Sequence, residues 1–199
     1  MRSSIKKLQQ KLILRIIAGK YKSRRVNSLH ESALNHGYRP TANRAKESLF
    51  NVLNNLIDFE GITCLDLFAG SGSLGFEALS RGAESCDFVE SFSGNIKLIE
   101  QTAKELGVEN LIKTYRNDVI SFLENKSIER PAGYNLIFAD PPYQYDEYDI
   151  LLSKIFKTNF DLFVLEHFSE KKLEYNNDQF DVISKKVGTI KFEIFSNKE

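Results

Sequence analysis

Residues 140–143 read Asp-Pro-Pro-Tyr and directly follow the apolar run at residues 134–139. The run predicts a buried strand, so Asp140 is expected where that strand ends at an open sheet edge. Pro141 and Pro142 lack backbone N–H groups and hold φ at about −65°, so they cannot extend a central strand. They form a stiff loop that presents the Asp140 carboxylate and the Tyr143 ring at a fixed separation. An acceptor beside a flat ring suits a planar base that carries an exocyclic amino group.

A glycine loop, Leu-Asp-Leu-Phe-Ala-Gly-Ser-Gly-Ser-Leu-Gly, occupies residues 65–75. Its glycines satisfy the dinucleotide pattern G-x-G-x-x-G, and Glu90 lies about 20 residues further on, where a ribose diol would be held. Charge argues against a dinucleotide, because Asp66 would face its phosphates. One like charge at ~4 Å costs on the order of 4 kcal/mol at an effective dielectric constant of about 20. Asp66 favours S-adenosylmethionine, which has no phosphate and carries an ammonium and a sulfonium.

Acidic residues end the predicted strands at spacings of 24, 28, 22 and 26 residues: Asp66, Glu90, Asp118, Asp140 and Glu166. Any one of them alone is more simply an exposed loop acid or a helix cap. The carboxyl ends of parallel strands share one edge of a sheet, and open α/β folds bind ligands there. Five acids that each follow one predicted strand therefore predict a ligand-binding edge of the sheet.

Short apolar runs alternate with helical stretches from residue 62 onward. Predicted strands span 62–67, 86–89, 111–115, 136–139 and 162–165, and predicted helices span 74–80, 95–106, 119–123 and 149–156. This alternation predicts an α/β fold with a doubly wound, mostly parallel sheet of seven strands. The last two strands, 180–186 and 189–195, are joined too closely for a crossover helix, so they are expected to form an antiparallel hairpin.

The N-terminal part has a different pattern. Residues 1–12 are predicted to be a basic tail, residues 14–26 two short strands turning near Gly19, and residues 27–40 a loop. A helix is expected to begin near Thr41, with one apolar face formed by Leu49, Val52, Leu53 and Leu56. We therefore divide the chain into a tail (1–12), a basic hairpin and loop (13–40) and a main domain (41–199).

The net charge of zero conceals a strong segregation. Residues 1–46 hold twelve Lys/Arg and one acid, a balance of +11, whereas the other 153 residues hold 15 Lys/Arg and 26 acids, a balance of −11. A basic arm on an acidic domain suits a polyanion. A solvated tail is the alternative for residues 1–11.

Composition excludes other classes of protein. No apolar stretch approaches the ~18 residues of a membrane span, and no signal peptide is evident, so a cytoplasmic protein is expected. Cys64 and Cys86 fall in predicted strands and are interpreted as reduced core thiols. The three histidines lack metal-ligand spacing, so no metal is expected: His30, His36 and His167.

The chain resembles the bacterial small-subunit ribosomal RNA guanine-N2 methyltransferases of the D type, from about residue 14 to residue 195. These are S-adenosylmethionine-dependent amino-methyltransferases with Asp/Asn-Pro-Pro-Tyr at the same place. The matching text is Arg15-Ile-Ile-Ala-Gly19, Arg39-Pro-Thr41, Lys46-Glu-Ser-Leu-Phe-Asn51, the glycine loop, Glu77-Ala-Leu-Ser-Arg-Gly82, Phe88-Val-Glu90 and Asp140-Pro-Pro-Tyr143. Departures from the family pattern occur at Asn43, Val187 and residues 91–94, and they affect the expected RNA contacts.

The resemblance implies a role for each matching residue. Glu90 would hold the cofactor ribose, Asp118 would accept from the adenine amino group, and Val119 would donate a backbone N–H. The amino-acid end of the cofactor would lie on the loop residues Asp66, Phe68, Ala69, Gly70, Ser71, Gly72 and Gly75. The target base would be held by Asp140, Pro141, Pro142 and Tyr143. RNA phosphates would be contacted by Arg15, Lys20, Lys22, Arg24, Arg25, Arg39 and Arg44.

The implied reaction is methyl transfer to the exocyclic N2 of a guanine in 16S ribosomal RNA, by a monomer acting on the RNA or on a small-subunit assembly particle. Four alternatives remain open. An adenine-N6 DNA methyltransferase shares the Asp-Pro-Pro-Tyr loop, but 199 residues leave no room for a target-recognition domain. A glutamine-N5 methyltransferase would usually have Asn at position 140. A nicotinamide dehydrogenase would give the Asp-Pro-Pro-Tyr loop no function. A non-catalytic RNA-binding module would have a vestigial cofactor site.

Overall fold

The computed structural model describes residues 14–28, 41–125, 133–175 and 178–198. The predicted tail, most of the predicted loop before Thr41, and Arg39 lie outside these ranges. The helices are α1 (Thr41–Leu53), α2 (Ser73–Arg81), α3 (Ser93–Leu106), α4 (Val119–Glu124) and α5 (Tyr148–Ile155). The strands are β1 (Leu14–Arg15), β2 (Arg25–Val26), β3 (Thr63–Leu67), β4 (Ser85–Glu90), β5 (Ile112–Arg116), β6 (Tyr134–Ala139), β7 (Phe160–Phe168), β8 (Phe180–Val187) and β9 (Ile190–Asn197).

Seven strands form one sheet in the order β5-β4-β3-β6-β7-β9-β8. The first five strands in this order run parallel to one another, whereas β9 is antiparallel to both β7 and β8. The last strand of the chain is thus inserted between β7 and β8. The predicted mostly parallel, doubly wound sheet with a reversed C-terminal hairpin is confirmed.

Side-chain alternation along the strands separates two cores, one on each face of the sheet. The first core contains α1, α2, α3 and the β1–β2 hairpin, and its strand residues include Cys64, Cys86, Phe88, Phe138 and Val164. The second core lies under α4 and α5, and its strand residues include Leu65, Val89, Ile137 and Leu165. Both faces of the central strands are therefore covered, as their continuous apolar runs require.

The β1–β2 hairpin packs against the main sheet domain. Leu14, Ile16 and Val26 are buried in the first core. The backbone N–H of Lys20 donates to the carbonyl of Ser80 at 2.7 Å, at the C-terminal end of α2. The hairpin is consequently held in a defined position beside the sheet.

Two details of the sequence prediction were wrong. Helix α1 ends at Leu53, so Leu56 lies in the following turn and is 40% exposed. Strand β7 continues three residues past the predicted end at residue 165, because β9 pairs with it as far as Phe168. The cysteines Cys64 and Cys86 are buried neighbours with free thiols.

The described ranges contain no helix that is long and apolar enough to cross a bilayer. Among those same residues, no group of three or more His, Cys, Asp or Glu side chains is placed to hold a metal ion.

Candidate active site

Four acids form a row at the carboxyl edge of the sheet, on the adjacent strands β4, β3, β6 and β7: Glu90, Asp66, Asp140 and Glu166. We call them the carboxylate row. The strand register places three of them at one level and Asp66 two residues deeper. Each lies two residues beyond a side chain of the first core, so all four belong to the sheet face that α1 and α2 cover.

The pKa of two acids of the row is raised by burial and by the charges of their neighbours. Burial raises the pKa of Asp66 well above its usual range, and the charges of Asp140 and Glu90 raise it further, while a hydrogen bond from Gly75 opposes the shift. Burial and the charge of Asp140 likewise raise the pKa of Glu166. A cation bound here would relieve the repulsion and favour the ionised carboxylates. The row is therefore suited to a positively charged ligand.

The glycine loop joins β3 to α2, and two of its glycines have different tasks. A Cβ on Gly75 would lie 2.4 Å from a ring carbon of Phe88, so this glycine lets α2 pack closely against β4. Gly70 has φ +55°, and a Cβ there would have only the carbonyl oxygen of Phe68, at 3.9 Å, as a described neighbour within 4 Å. The Gly70 backbone is thus left open to a ligand. Gly72, also at positive φ, forms the N-cap of α2.

Phe68 gives the loop its shape. It adopts φ +56°, a left-handed conformation that is uncommon for a residue with a large side chain. Its ring meets Tyr145 edge-on at 5.1 Å, so the glycine loop contacts the segment that follows Asp-Pro-Pro-Tyr. Ala69 is buried and donates its N–H to Val89, and Ser71 is half-buried. Backbone strain of this kind is concentrated at functional sites.

Glu90 binds the loop directly. One of its oxygens accepts the N–H of Gly70 at 2.8 Å, and the other accepts the N–H of Phe92 at 2.7 Å. The second oxygen also accepts the Ser91 hydroxyl at 3.5 Å. Because a carboxylate offers about four lone-pair sites, one remains for a hydroxyl donor, and a second becomes available if the long contact with Ser91 gives way. Asp66 is fully buried, and its carboxylate accepts the N–H of Gly75 at 2.9 Å.

Asp118 lies beyond the end of β5 and is the N-cap of α4. One of its oxygens accepts the N–H of Ser121 at 3.0 Å, which is the helix-cap role. Val119 is the first residue of the helix, where backbone N–H groups have no acceptor within the helix.

The Asp-Pro-Pro-Tyr loop begins at the end of β6. Asp140 is exposed, and its N–H still approaches the carbonyl of Leu67 at 3.5 Å, so its backbone follows the sheet. Pro141 is buried, whereas Pro142 is exposed and its carbonyl accepts the N–H of Tyr145 at 2.8 Å, closing a turn. The Tyr143 side chain is 65% exposed. Its ring stands edge-on against Phe168 at the end of β7.

This geometry agrees with the comparisons to known proteins. The family described as "Conserved hypothetical protein 95" matches residues 14–196. The protein named Ribosomal RNA small subunit methyltransferase D from Haemophilus influenzae is 30% identical, with 92% of this chain and 94% of that protein covered. The chain belongs to the small-subunit ribosomal RNA methyltransferase D family.

Two further comparisons, one with a relative and one with a solved structure, give the same picture for this D-type methyltransferase. The Escherichia coli (strain K12) protein of the same name is 34% identical over 131 residues, covering 66% of this chain and 61% of that protein. A magnesium protoporphyrin IX methyltransferase from Synechocystis, solved with S-adenosylmethionine bound, superimposes with a TM-score of 0.67 over 86% of each chain. At 13% identity, the second likeness concerns the fold, which is that of class I methyltransferases.

The predicted RNA-binding residues of the D-type methyltransferase that the structure describes lie on the β1–β2 hairpin and on α1. Six of the seven are in the described ranges and are exposed: Arg15, Lys20, Lys22, Arg24, Arg25 and Arg44. Two also have structural contacts, because Arg15 donates to the carbonyl of Ser23 and Arg24 donates to the carbonyl of Glu105 at the end of α3. Arg39 is outside the described residues.

Sequence reasoning missed two residues beside the Asp-Pro-Pro-Tyr loop. Phe168 contacts Tyr143, and Tyr145 contacts Phe68 and has a buried hydroxyl without a partner in the described part of the chain. The spacing of the acids pointed to Glu166 but assigned it no role. An apolar pattern gives Phe168 and Tyr145 no signal that separates them from core residues.

Proposed function

We propose that this methyltransferase transfers the methyl group of S-adenosylmethionine to the N2 amino group of a guanine in 16S ribosomal RNA. The observation on which this rests is the position of Asp140, which stands next to Asp66 in the carboxylate row and begins the rigid loop that presents Tyr143. The part of the row on β4 and β3 suits a cationic cofactor. The part that follows β6 has an acceptor, Asp140, and an exposed ring, Tyr143, for a base.

S-adenosylmethionine is the cofactor, and the residues around β3, β4 and β5 fit it. Its cationic groups would be attracted by Asp66 on the β3 side of the row, and its amino-acid end would approach the backbone at Gly70. Glu90 has a lone pair left for a ribose hydroxyl, and a second if the long contact with Ser91 gives way. The adenine would lie at the start of α4, where Asp118 accepts from its amino group and Val119 donates its backbone N–H.

The guanine amino group is a poor nucleophile, because its lone pair is delocalised into the ring. Asp140 and the carbonyl of Pro141 would accept its two N–H bonds, which shifts the nitrogen toward sp³ and frees the lone pair for in-line attack on the methyl carbon. The carbon–sulfur bond breaks as the carbon–nitrogen bond forms, and the neutral thioether leaves. Orientation of this kind contributes up to ~7–11 kcal/mol in well-aligned reactions. Asp140 also stabilises the positive charge that develops on nitrogen, and the methylated nitrogen then gives its surplus proton to this solvent-exposed carboxylate.

Tyr143 would stack on the extruded base, since its ring is exposed and is supported from one side by Phe168. Stacking of a base on an aromatic side chain contributes roughly 1–3 kcal/mol. The substrate would be the RNA or a small-subunit assembly particle, bound by a monomer in the cytoplasm. The segment at residues 13–40 would be the RNA-binding extension of the catalytic domain at residues 41–199.

Product analysis tests the proposed function. The protein is incubated with S-adenosylmethionine labelled in its methyl group and with small-subunit RNA or particles that lack the modification. We expect labelled N2-methylguanosine in the nucleoside digest, and none when NAD replaces the methyl donor. Label in N6-methyladenosine, or none in any nucleoside with either RNA or particles, would overturn the proposal.

The basic extension and the neighbouring residue Arg44 on α1 have a separate prediction. Lys22, Arg25 and Arg44 are exposed and form no hydrogen bond or ion pair to another described side chain, so their replacement by Ala leaves the hairpin contacts intact. Each lost phosphate contact lowers the slope of log affinity against log salt by about 0.7–0.9. The triple variant should therefore bind RNA with a slope about 2–3 units shallower, and should methylate with a raised KM.

The matched control removes the same charge elsewhere, by Ala at the exposed residues Lys113, Lys157 and Lys185. RNA binding is measured at several salt concentrations for both variants. An equal change of slope in the control would mean that the extension has no special role, and an unchanged slope in the first variant would exclude these phosphate contacts.

A further inference from the structure

Glu166 is the member of the carboxylate row that the proposed mechanism does not use. It lies on β7 beside β6, at the level of Asp140, because Ala139 and Leu165 are partners in the parallel ladder. The side chains of Glu166 and Phe168 share one face of β7, and Phe168 supports the Tyr143 ring. Glu166 is therefore beside the proposed acceptor Asp140, on the same face of β7 as the residue that supports the proposed stacking ring.

The contacts of Glu166 differ from those of the other acids at this edge. Asp66, Glu90 and Asp118 each accept a backbone N–H. Glu166 accepts no hydrogen bond from the residues that the structure describes, and its deep position and the charge of Asp140 hold its pKa high. A carboxylate held in this way has unused acceptor capacity and would be stabilised by a donor from a ligand.

The sheet order divides the row into two halves. Glu90 and Asp66 lie on β4 and β3 next to the glycine loop, whereas Asp140 and Glu166 lie on β6 and β7 next to Tyr143. A base held through its amino group by Asp140 would turn one of the two ring atoms beside the amino-bearing carbon toward Glu166. In guanine these two atoms are N1, which carries a hydrogen, and N3, which carries a lone pair. In adenine they are N1, which carries a lone pair, and C5.

We propose that Glu166 accepts the N1–H of the target guanine and is the residue that selects guanine over adenine. The inference rests on the proposed function and extends it to substrate choice. The cationic cofactor bound beside the row favours the ionised form of Glu166. In that form Glu166 pairs with the N1–H of guanine, whereas it would face the lone pair of adenine N1 with its charge unpaired. A site built to receive a donor rejects an analogue that lacks it far more strongly than an apolar pocket rejects a change of size.

The test uses a substrate RNA in which the mapped target guanine is replaced by 2-aminopurine. This base keeps the reacting 2-amino group but has a lone pair at N1 and a hydrogen in place of the guanine O6, so the response of Glu166→Gln assigns the preference to N1. The wild-type enzyme should methylate the guanine RNA with a kcat/KM about 10²–10⁴-fold above that for the 2-aminopurine RNA. In Glu166→Gln, the amide can either accept from N1–H or donate to an N1 lone pair, so this ratio should fall at least about tenfold.

Glu170→Gln is the matched control, because Glu170 is an exposed acid just past the end of β7. It should keep the wild-type ratio, and both variants should keep S-adenosylmethionine binding by calorimetry. An unchanged ratio in Glu166→Gln, with guanine still methylated, would overturn the inference and leave the proposed function standing. Equal turnover of both RNAs by the wild-type enzyme would overturn it without any variant. Failure of the wild-type enzyme to methylate guanine would overturn both.

Discussion

Replacement of Asp140 by Ala is expected to lower kcat for methyl transfer by about 10²–10³-fold, which corresponds to roughly 2.7–4 kcal/mol for the loss of one oriented group in a transition state. The carboxylate would act on the amino group as its lone pair is released, so it contributes mainly to the transition state. S-adenosylmethionine would be held on the β3 and β4 side of the row, so its dissociation constant should change little. Single-turnover methylation and calorimetry measure the two quantities separately.

Two further variants give this experiment its controls. Asp140→Asn keeps an acceptor oxygen but loses the charge, so its rate should lie between those of the wild type and the Ala variant. Asp149→Ala removes an exposed acid from the first turn of α5 and should keep the full rate. Turnover of Asp140→Ala near that of Asp149→Ala would exclude the role proposed for Asp140.

The sequence contained enough information for the fold and for the edge that holds the site. The predicted strand and helix positions followed from apolar runs whose periodicity is local, and the short link at Gly188 required the antiparallel hairpin. Each acid follows its own apolar run in the sequence, which is also local information. The sequence therefore predicted that Asp66, Glu90 and Asp140 lie at the carboxyl edge. It did not predict that Asp66 lies two residues deeper, because the register between strands is not local.

The unpredicted parts depend on contacts between distant segments. The contact of Phe168 with Tyr143 requires the true end of β7, which is set by its pairing with β9 and not by the apolar run itself. The half-exposed Leu56 shows the opposite error, since a helical pattern continued in the sequence beyond the point where the backbone turns. Neither result follows from the local apolar pattern alone.

The purpose of three residues in the matching motifs was likewise invisible in the sequence. Glu77 is fully buried on α2, where it forms ion pairs with Lys46 of α1 at 3.3 Å and with Arg81 at 3.0 Å. It also accepts the backbone N–H groups of Ile17 at 2.8 Å and Ala18 at 3.0 Å. Lys46 donates in turn to the carbonyl of Arg15 and to Ser73 beside the glycine loop, both at 2.9 Å. This network ties the hairpin, α1 and the glycine loop together.

Glu77→Gln should lower the free energy of unfolding by about 3–5 kcal/mol, because it leaves the buried Lys46 ammonium without its counter-ion. For a chain of this length the melting temperature should fall by on the order of 10 °C. Glu124→Gln breaks the exposed ion pair with Lys154 and should cost less than about 1 kcal/mol. Equal small losses in the two variants, measured by denaturant unfolding, would mean that the Glu77 network does not hold the three segments together.

The pH dependence of the stability lost in Glu77→Gln identifies the cause of that loss. Burial lowers the pKa of Lys46, and the charge of Glu77 partly restores it, so Glu77→Gln lowers that pKa further. Between the folded-state pKa and the unfolded value of about 10.4, the unfolded chain binds more protons, so stability rises with pH. The deficit of Glu77→Gln relative to the wild type should therefore shrink between pH 7 and pH 9.5. A lost hydrogen bond alone would give a deficit that does not change with pH.

A double variant gives an independent test. Glu77→Gln/Lys46→Met also removes the unpaired ammonium, so it should recover part of the stability that the single variant loses at pH 7.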